Sequence, residues 1–144
     1  MPAKPQSLQN HTRLDPVFHL FLGPLSFVLL IAAATNFIRH VGWMSGLQLI
    51  ASIWAVVATF KIRLYALKVQ DRVIRLEERL RLKDVLPADL EPRIDALTEA
   101  QLIALRFAPD SELQTLVTKS LEGKWKGKQI KESIRTWRPD YWRV

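Results

Sequence analysis

The sequence predicts an all-α integral membrane protein: a helical hairpin in the membrane, whose second span continues into a long cytoplasmic helix, followed by short helices. Two stretches, Val17–Ile38 and Val41–Phe60, are 22 and 20 residues long and hold a single titratable side chain, His19. A helix of about 20 apolar residues crosses the roughly 30 Å hydrocarbon core of a bilayer. The residues from 61 to 86 lack Gly and Pro and are rich in Leu, Arg, Glu and Lys, which favours an unbroken helix.

Prolines and charge divide the chain into four predicted segments. Pro16 suits the first turn of a helix, where its missing N–H costs little. Pro24 lies inside the first span and predicts a kink there. Pro87 ends the long helix. The segments are a polar N-terminal tail, 1–16; a two-span transmembrane hairpin, 17–60; a cytoplasmic extension of the second helix, 61–86; and a basic short-helix C-terminal region, 87–144.

Capping signals predict where the short helices begin and end. Thr98 and Gln101 have the spacing of a capping box, which opens a helix that runs to Phe107. Pro109–Ser111 predicts the cap of the next helix, and Gly123 predicts its end. The remaining short helical stretches are Pro92–Leu97 and Gly127–Arg135.

The basic surplus predicts the orientation of the hairpin. The formal net charge is +7, and residues 61–83 hold eight Lys/Arg against three Asp/Glu. Residues 124–144 hold seven Lys/Arg against two Asp/Glu. Basic flanks face the cytoplasm and suit an anionic leaflet. We therefore expect both termini in the cytoplasm and four side chains at the bilayer interface: Trp43, Lys61, Arg63 and Tyr65.

A secretory signal peptide is the alternative for the first span. Ala32–Ala34 resembles a small-residue cleavage site, and Lys4 and Arg13 could form the charged region before it. However, Gly23–Pro24 interrupts the apolar stretch, which then continues past the alanines into a second span. These features favour an uncleaved hairpin.

One apolar seam runs along the predicted extension. Its members, spaced by four, three and four residues, are Val69, Val73, Leu76 and Leu80. We expect the seam to pack against the protein's own short helices, since those helices need a face on which to bury their apolar side chains. A partner subunit or a coiled-coil dimer is the alternative. It covers about two heptads, fewer than the three or four that argue for a coiled coil.

The C-terminal segment combines basic and aromatic side chains. Stacking on nucleic-acid bases is one use of such a pattern. Beside a membrane, Trp with Lys or Arg more often contacts the lipid surface or protein. We therefore expect the segment to dock on lipid, on the protein's own helices or on a partner, and we disfavour nucleic acid. The docking residues predicted are Trp137, Arg138, Tyr141 and Trp142.

No catalytic, metal or cofactor site is predicted. The chain has no Cys, which excludes disulfides and thiolate chemistry. Of its three histidines, His11 and His19 precede or begin the first span, whereas His40 lies in the turn after it. Glycine appears five times, never in a phosphate-cradling pattern.

Three segments together resemble a bacterial family of small two-span membrane proteins known only as a domain of unknown function. They are Gln9–Pro16 (QNHTRLDP), Arg63–Arg81 (RLYALKVQDRVIRLEERLR) and Arg135–Trp142 (RTWRPDYW), and Leu102–Ala108 (LIALRFA) also fits. The resemblance implies the architecture and a bacterial source. It implies no activity and no functional residue.

The expected function is non-catalytic. The hairpin would fix the protein in the bilayer, and the helical tail would present a face to a partner, so the protein would be an interaction or accessory subunit of a bacterial inner-membrane assembly. The alternatives are a homo-oligomeric membrane scaffold and a small transport or conductance component. The expected partners are the lipid bilayer and either another protein or a second copy.

Overall fold

The computed structural model describes residues 6–10 and 14–140, and within them it contains helices and no strand. The predicted all-α class is therefore confirmed. The helices are α1, Gly23–Arg39, preceded by a π-helical turn, Val17–Leu22; α2, Trp43–Val85; a 3₁₀ turn, Glu91–Ala96; α3, Glu99–Leu105; α4, Asp110–Glu122; and α5, Gly127–Ser133.

The described residues form two compact units. Residues 14–68 form one, called here the two-helix unit, and residues 6–10 with 69–140 form the other, called the C-terminal unit. Helix α2 belongs to both, since the boundary falls between Lys68 and Val69. The predicted segment boundary at Phe60 marks where a bilayer would end and stays a prediction.

The first helix begins in a wider turn than expected. The N–H of Gly23 donates to the carbonyl of Phe18, five residues back, as in a π-helix. Pro24 follows in the first turn of α1. Because proline has no N–H and crowds the carbonyl four residues earlier, a π-helical turn before it accommodates the ring. The carboxylate of Asp15 caps this end by accepting the N–H of Val17 at 3.1 Å.

The turn between α1 and α2 is held by one hydroxyl. Ser45 donates to the carbonyl of His40 at 2.5 Å and accepts the N–H of Gly42 at 3.1 Å. One turn further along each helix, the side-chain amide of Asn36 donates to that of Gln48 at 2.9 Å. These polar contacts connect the two helices at their turn end.

The C-terminal unit has an apolar core. Helix α2 contributes Leu82, α4 contributes Leu113 and α5 contributes Ile130, while Leu86 and Phe107 follow the ends of α2 and α3. All five are buried. The short helices therefore cover one face of α2, which is how each buries its own apolar side chains.

The predicted helix boundaries are correct in most places. The capping box of α3 is present, with the amide of Gln101 accepting the N–H of Thr98 at 2.7 Å. Helix α4 ends before Gly123 as expected, although the residue with positive φ is Lys124, at 48°. The prediction of a side-chain cap at Pro109–Ser111 is wrong, because α4 has none and the carboxylate of Asp110 bonds Arg81 instead.

Candidate functional site

The four residues of the predicted seam are exposed. Between 48% and 62% of the surface of each is accessible. The packed face of α2 carries Ile74, Glu78 and Leu82 instead, which are buried. The short helices thus cover a different face, and the expectation that the seam packs on them is wrong. The use of the seam by a partner stays a prediction for its four residues, Val69, Val73, Leu76 and Leu80.

A buried carboxylate lies on the packed face of α2. The side chain of Glu78 is 6% exposed and meets two guanidinium groups, Arg81 at 3.1 Å and Arg138 at 3.6 Å. Burial raises the pKa of Glu78 above its usual value of 4.5, while the two arginines offset part of that rise. Glu78 thereby ties α2 to the last described segment of the chain.

Arg81 is the hub of this charge network. Its Nη2 donates to Asp110 Oδ1 at 2.6 Å and to the carbonyl of Ala108 at 2.7 Å. Its Nη1 donates to Glu78 at 3.1 Å. Arg75, six residues earlier on α2, pairs with Glu99 of α3. Both arginines therefore connect α2 to the short helices.

The segment after α5 docks along the short helices. The carboxylate of Glu112 accepts two consecutive backbone N–H groups, of Arg135 at 3.0 Å and Thr136 at 2.9 Å. The N–H of Arg138 donates to the carbonyl of Phe107 at 2.8 Å. The ring of Trp137 packs on that of Phe107 with centroids 5.0 Å apart. Of the predicted docking residues, the structure thus brings Trp137 and Arg138 onto the protein's own helices.

The same segment meets the N-terminal residues at Asp140. Gln6 donates to the carbonyl of Asp140 at 3.0 Å and accepts its N–H at 2.8 Å. The Asp140 carboxylate pairs with the buried Arg106 at 3.5 Å. The two other predicted docking residues, Tyr141 and Trp142, lie outside the described residues.

The predicted interface residues have different surroundings. Trp43 is exposed. The ammonium group of Lys61 lies 5.6 Å from the centre of the Tyr65 ring. Arg63, by contrast, pairs with Asp15, just before the π-helical turn, at 3.4 Å, and its guanidinium lies 5.5 Å from the centre of the Phe18 ring. It therefore connects α2 to the segment that precedes α1.

Two arrangements could act on a partner or ligand, and they differ in exposure. The network around Glu78 and Arg81 is internal and holds the C-terminal unit together. The seam from Val69 to Leu80 is external. Among the described residues, no three His, Asp or Glu side chains lie close enough together to hold a metal ion. The accessible arrangement is the seam.

Sequence reasoning missed the charge network. Charged residues on a helix are ordinarily solvated, and nothing near Glu78 in the sequence marks it as buried. One signal was present: Ile74, Glu78, Leu82 and Val85 share a face at helical spacing. A carboxylate within an apolar face is a sign of a buried ion pair.

These features define an all-helical protein with a two-helix unit and a charge-linked C-terminal unit. All 144 residues, 1–144, match the family described as "Family of unknown function (DUF6526)", and the chain belongs to that family. No curated protein and no solved structure matches the chain.

Proposed function

We propose that this protein is a non-catalytic, membrane-anchored interaction or accessory subunit of a bacterial inner-membrane assembly. In this proposal α1 and the first part of α2 form a transmembrane hairpin. The C-terminal unit lies in the cytoplasm, as do both termini, and presents the seam to a partner.

The observation that carries the proposal is the reversed distribution of side chains in the two-helix unit. Its large apolar residues point outward: Leu20, Ile38 and Trp54 are 78%, 76% and 71% exposed. Its buried residues include Ser26 and Ser52. Such a surface in water would cost about 25 cal/mol for each Å² of apolar area left exposed. Lipid removes that cost, and small residues between spans are typical of membrane helix packing.

Length and composition support the same proposal. Val17–Arg39 and Trp43–Val85 are each long and apolar enough to span a bilayer. Only 11% and 6% of the residues in their most apolar windows are buried. The core helix of a water-soluble protein would be mostly buried, so this explanation of the apolar character is disfavoured.

The orientation can be tested with reporter fusions to the full chain. A fusion after residue 41 should report the periplasm, and a fusion at the C-terminus should report the cytoplasm, because the basic residues after α2's apolar part stay inside. The reverse pattern would contradict the proposed orientation. A periplasmic C-terminus with a shortened chain would support a cleaved signal peptide instead.

The interaction role can be tested by native purification. The chain should remain in the membrane pellet after an alkaline carbonate wash. In mild detergent it should migrate as a defined complex larger than one protomer. A monodisperse single protomer would contradict the interaction role, and recovery in the soluble fraction would contradict the anchor.

A further inference from the structure

The seam of α2 has the register of a parallel two-stranded coiled coil. Val73 and Leu80 are seven residues apart and take the a positions, and Val69 and Leu76 take the d positions. We infer that the seam binds the same seam of a second copy of this chain. The inference rests on the proposed function, since it names the partner of the face proposed there.

The protein's own packing leaves the seam free for this contact. Ile74, Glu78 and Leu82, the buried residues of α2 in this region, lie about half a turn around the helix from the seam, at roughly 100° per residue. Arg75 and Arg81, which form ion pairs with the short helices, also lie on the side of α2 away from the seam. The short helices therefore lie on the opposite side of α2, and the seam faces away from them.

Charge identifies the partner as a second copy. In the same register Arg72 and Arg79 fall at g, and Glu77 and Asp84 fall at e. In a parallel pair each g residue meets the e residue five positions later on the other helix. Arg72 would therefore meet Glu77 of the second copy, and Arg79 would meet its Asp84. Both flanks are complementary to themselves.

These four charged side chains are available for such pairing. All four are exposed. Within the part of the chain that the structure describes, none of them has a salt-bridge partner, whereas Arg75 and Arg81 on the far side do. The charges that the fold does not use are thus the ones that a parallel dimer would use.

Membrane anchoring supplies what a short seam lacks. About two heptads are too few for a stable coiled coil in dilute solution. Two copies inserted with the same orientation present their seams in parallel, with Val69 as the first seam residue after the spans in each. Confinement to one membrane also raises their effective concentration. This favours the dimer even though it adds no new contact between the copies.

Single-cysteine crosslinking tests the pairing in native membranes, since the chain has no Cys of its own. Val73→Cys and Leu76→Cys should each form a disulfide-linked homodimer under mild oxidation, because facing a and d positions come within disulfide distance. Ser111→Cys, exposed on α4, is the matched control and should stay monomeric. Crosslinking of Ser111→Cys as strong as that of Val73→Cys would overturn the inference.

A charge exchange tests the register. Arg72→Glu with Arg79→Glu should lower dimer formation by Val73→Cys about tenfold, since four attractive contacts per dimer become repulsive. Adding Glu77→Arg and Asp84→Arg to the same chain should restore it. Loss without restoration, or no loss at all, would overturn the parallel register.

The outcomes separate the two proposals. A chain that stays in the membrane but gives no homodimer, or crosslinks only to a different protein, overturns the inference and leaves the anchor standing. A chain recovered in the soluble fraction overturns the proposed function, whatever its crosslinks show.

Discussion

The two units of this protein distribute the same residue types in opposite ways. In the two-helix unit, serines are buried and Leu20 and Trp54 are exposed. In the C-terminal unit, Leu82 and Phe107 are fully buried, and most charged side chains lie outside. One continuous helix, α2, takes part in both patterns. The proposed anchor gives both patterns one cause, since lipid would surround the two-helix unit and water would surround the C-terminal unit.

The difference also changes what holds each unit together. The C-terminal unit has a close-packed apolar core, in which removing buried carbon atoms is costly. The two-helix unit relies on small residues and on polar contacts such as Asn36 with Gln48 and Asp15 with Arg63. In the proposed membrane hairpin, burying leucine between the helices would gain little, because lipid tails are as apolar as leucine.

Phenylalanine substitutions should show the largest difference in stability between the two units. Phe107→Ala should destabilise the C-terminal unit by about 3–5 kcal/mol, because its ring is fully buried against Trp137. Phe21→Ala is the matched control on the exposed surface of the other unit and should change that stability by less than about 0.5 kcal/mol. Denaturant unfolding followed by tryptophan fluorescence measures both, and equal losses would contradict the comparison.

The charge network gives the next largest effect. Arg81→Ala should cost about 3 kcal/mol, because it leaves the buried carboxylate of Glu78 with Arg138 alone. Asp110→Ala removes the exposed end of the same network and should cost less than about 1 kcal/mol. If the two variants lose the same stability, the network is a surface feature and Glu78 is solvated.

Glycine substitutions should also have different effects on stability in the two units. At Gly127 a Cβ would lie 2.7 Å from the carbonyl oxygen of Ala100, so α5 and α3 would have to separate. Gly127→Ala should therefore cost about 1–3 kcal/mol in the C-terminal unit. At Gly42, in the turn between α1 and α2, a Cβ meets nothing within 4 Å. Gly42→Ala should therefore leave the free energy of unfolding unchanged. The same unfolding measurement applies, and an unchanged midpoint for Gly127→Ala would show that α5 does not pack closely on α3.

The smallest effect is a pH dependence. Because burial raises the pKa of Glu78 in the folded state, its contribution to stability is fullest below the ordinary value of 4.5 and is lost as pH rises through the folded pKa. Glu78→Gln cannot titrate. The free energy of unfolding of the original chain minus that of Glu78→Gln should therefore fall as pH rises above 4.5.

The control for that pH series is Glu122→Gln, which neutralises an exposed carboxylate on α4. It should leave the corresponding difference flatter than Glu78→Gln does. A Glu78→Gln difference that stays constant or grows with pH would show that burial does not dominate at this carboxylate.

Much of the local structure could be predicted from the sequence. The end of α2 before Pro87 and the capping box at Thr98 follow from backbone chemistry that acts over a few residues. The contacts that join distant segments could not be predicted. Glu112 accepts the backbone N–H of Arg135, 23 residues later. Asp110 accepts a hydrogen bond from Arg81 instead of capping α4. Those choices depend on which helices pack together, which no local pattern specifies.

The most direct test of the account is the environment of the exposed apolar surface of α1. Spin labels on Val28→Cys and Ser26→Cys, in the full chain in membranes, report contact with oxygen, which enters lipid, and with a water-soluble nickel complex. Val28 is 60% exposed and Ser26 is 6% exposed. If α1 crosses a bilayer, relaxation at position 28 should be strong with oxygen and weak with nickel, and relaxation at position 26 should be weak with both. Strong nickel relaxation at position 28 would place that surface in water and contradict the proposed membrane hairpin.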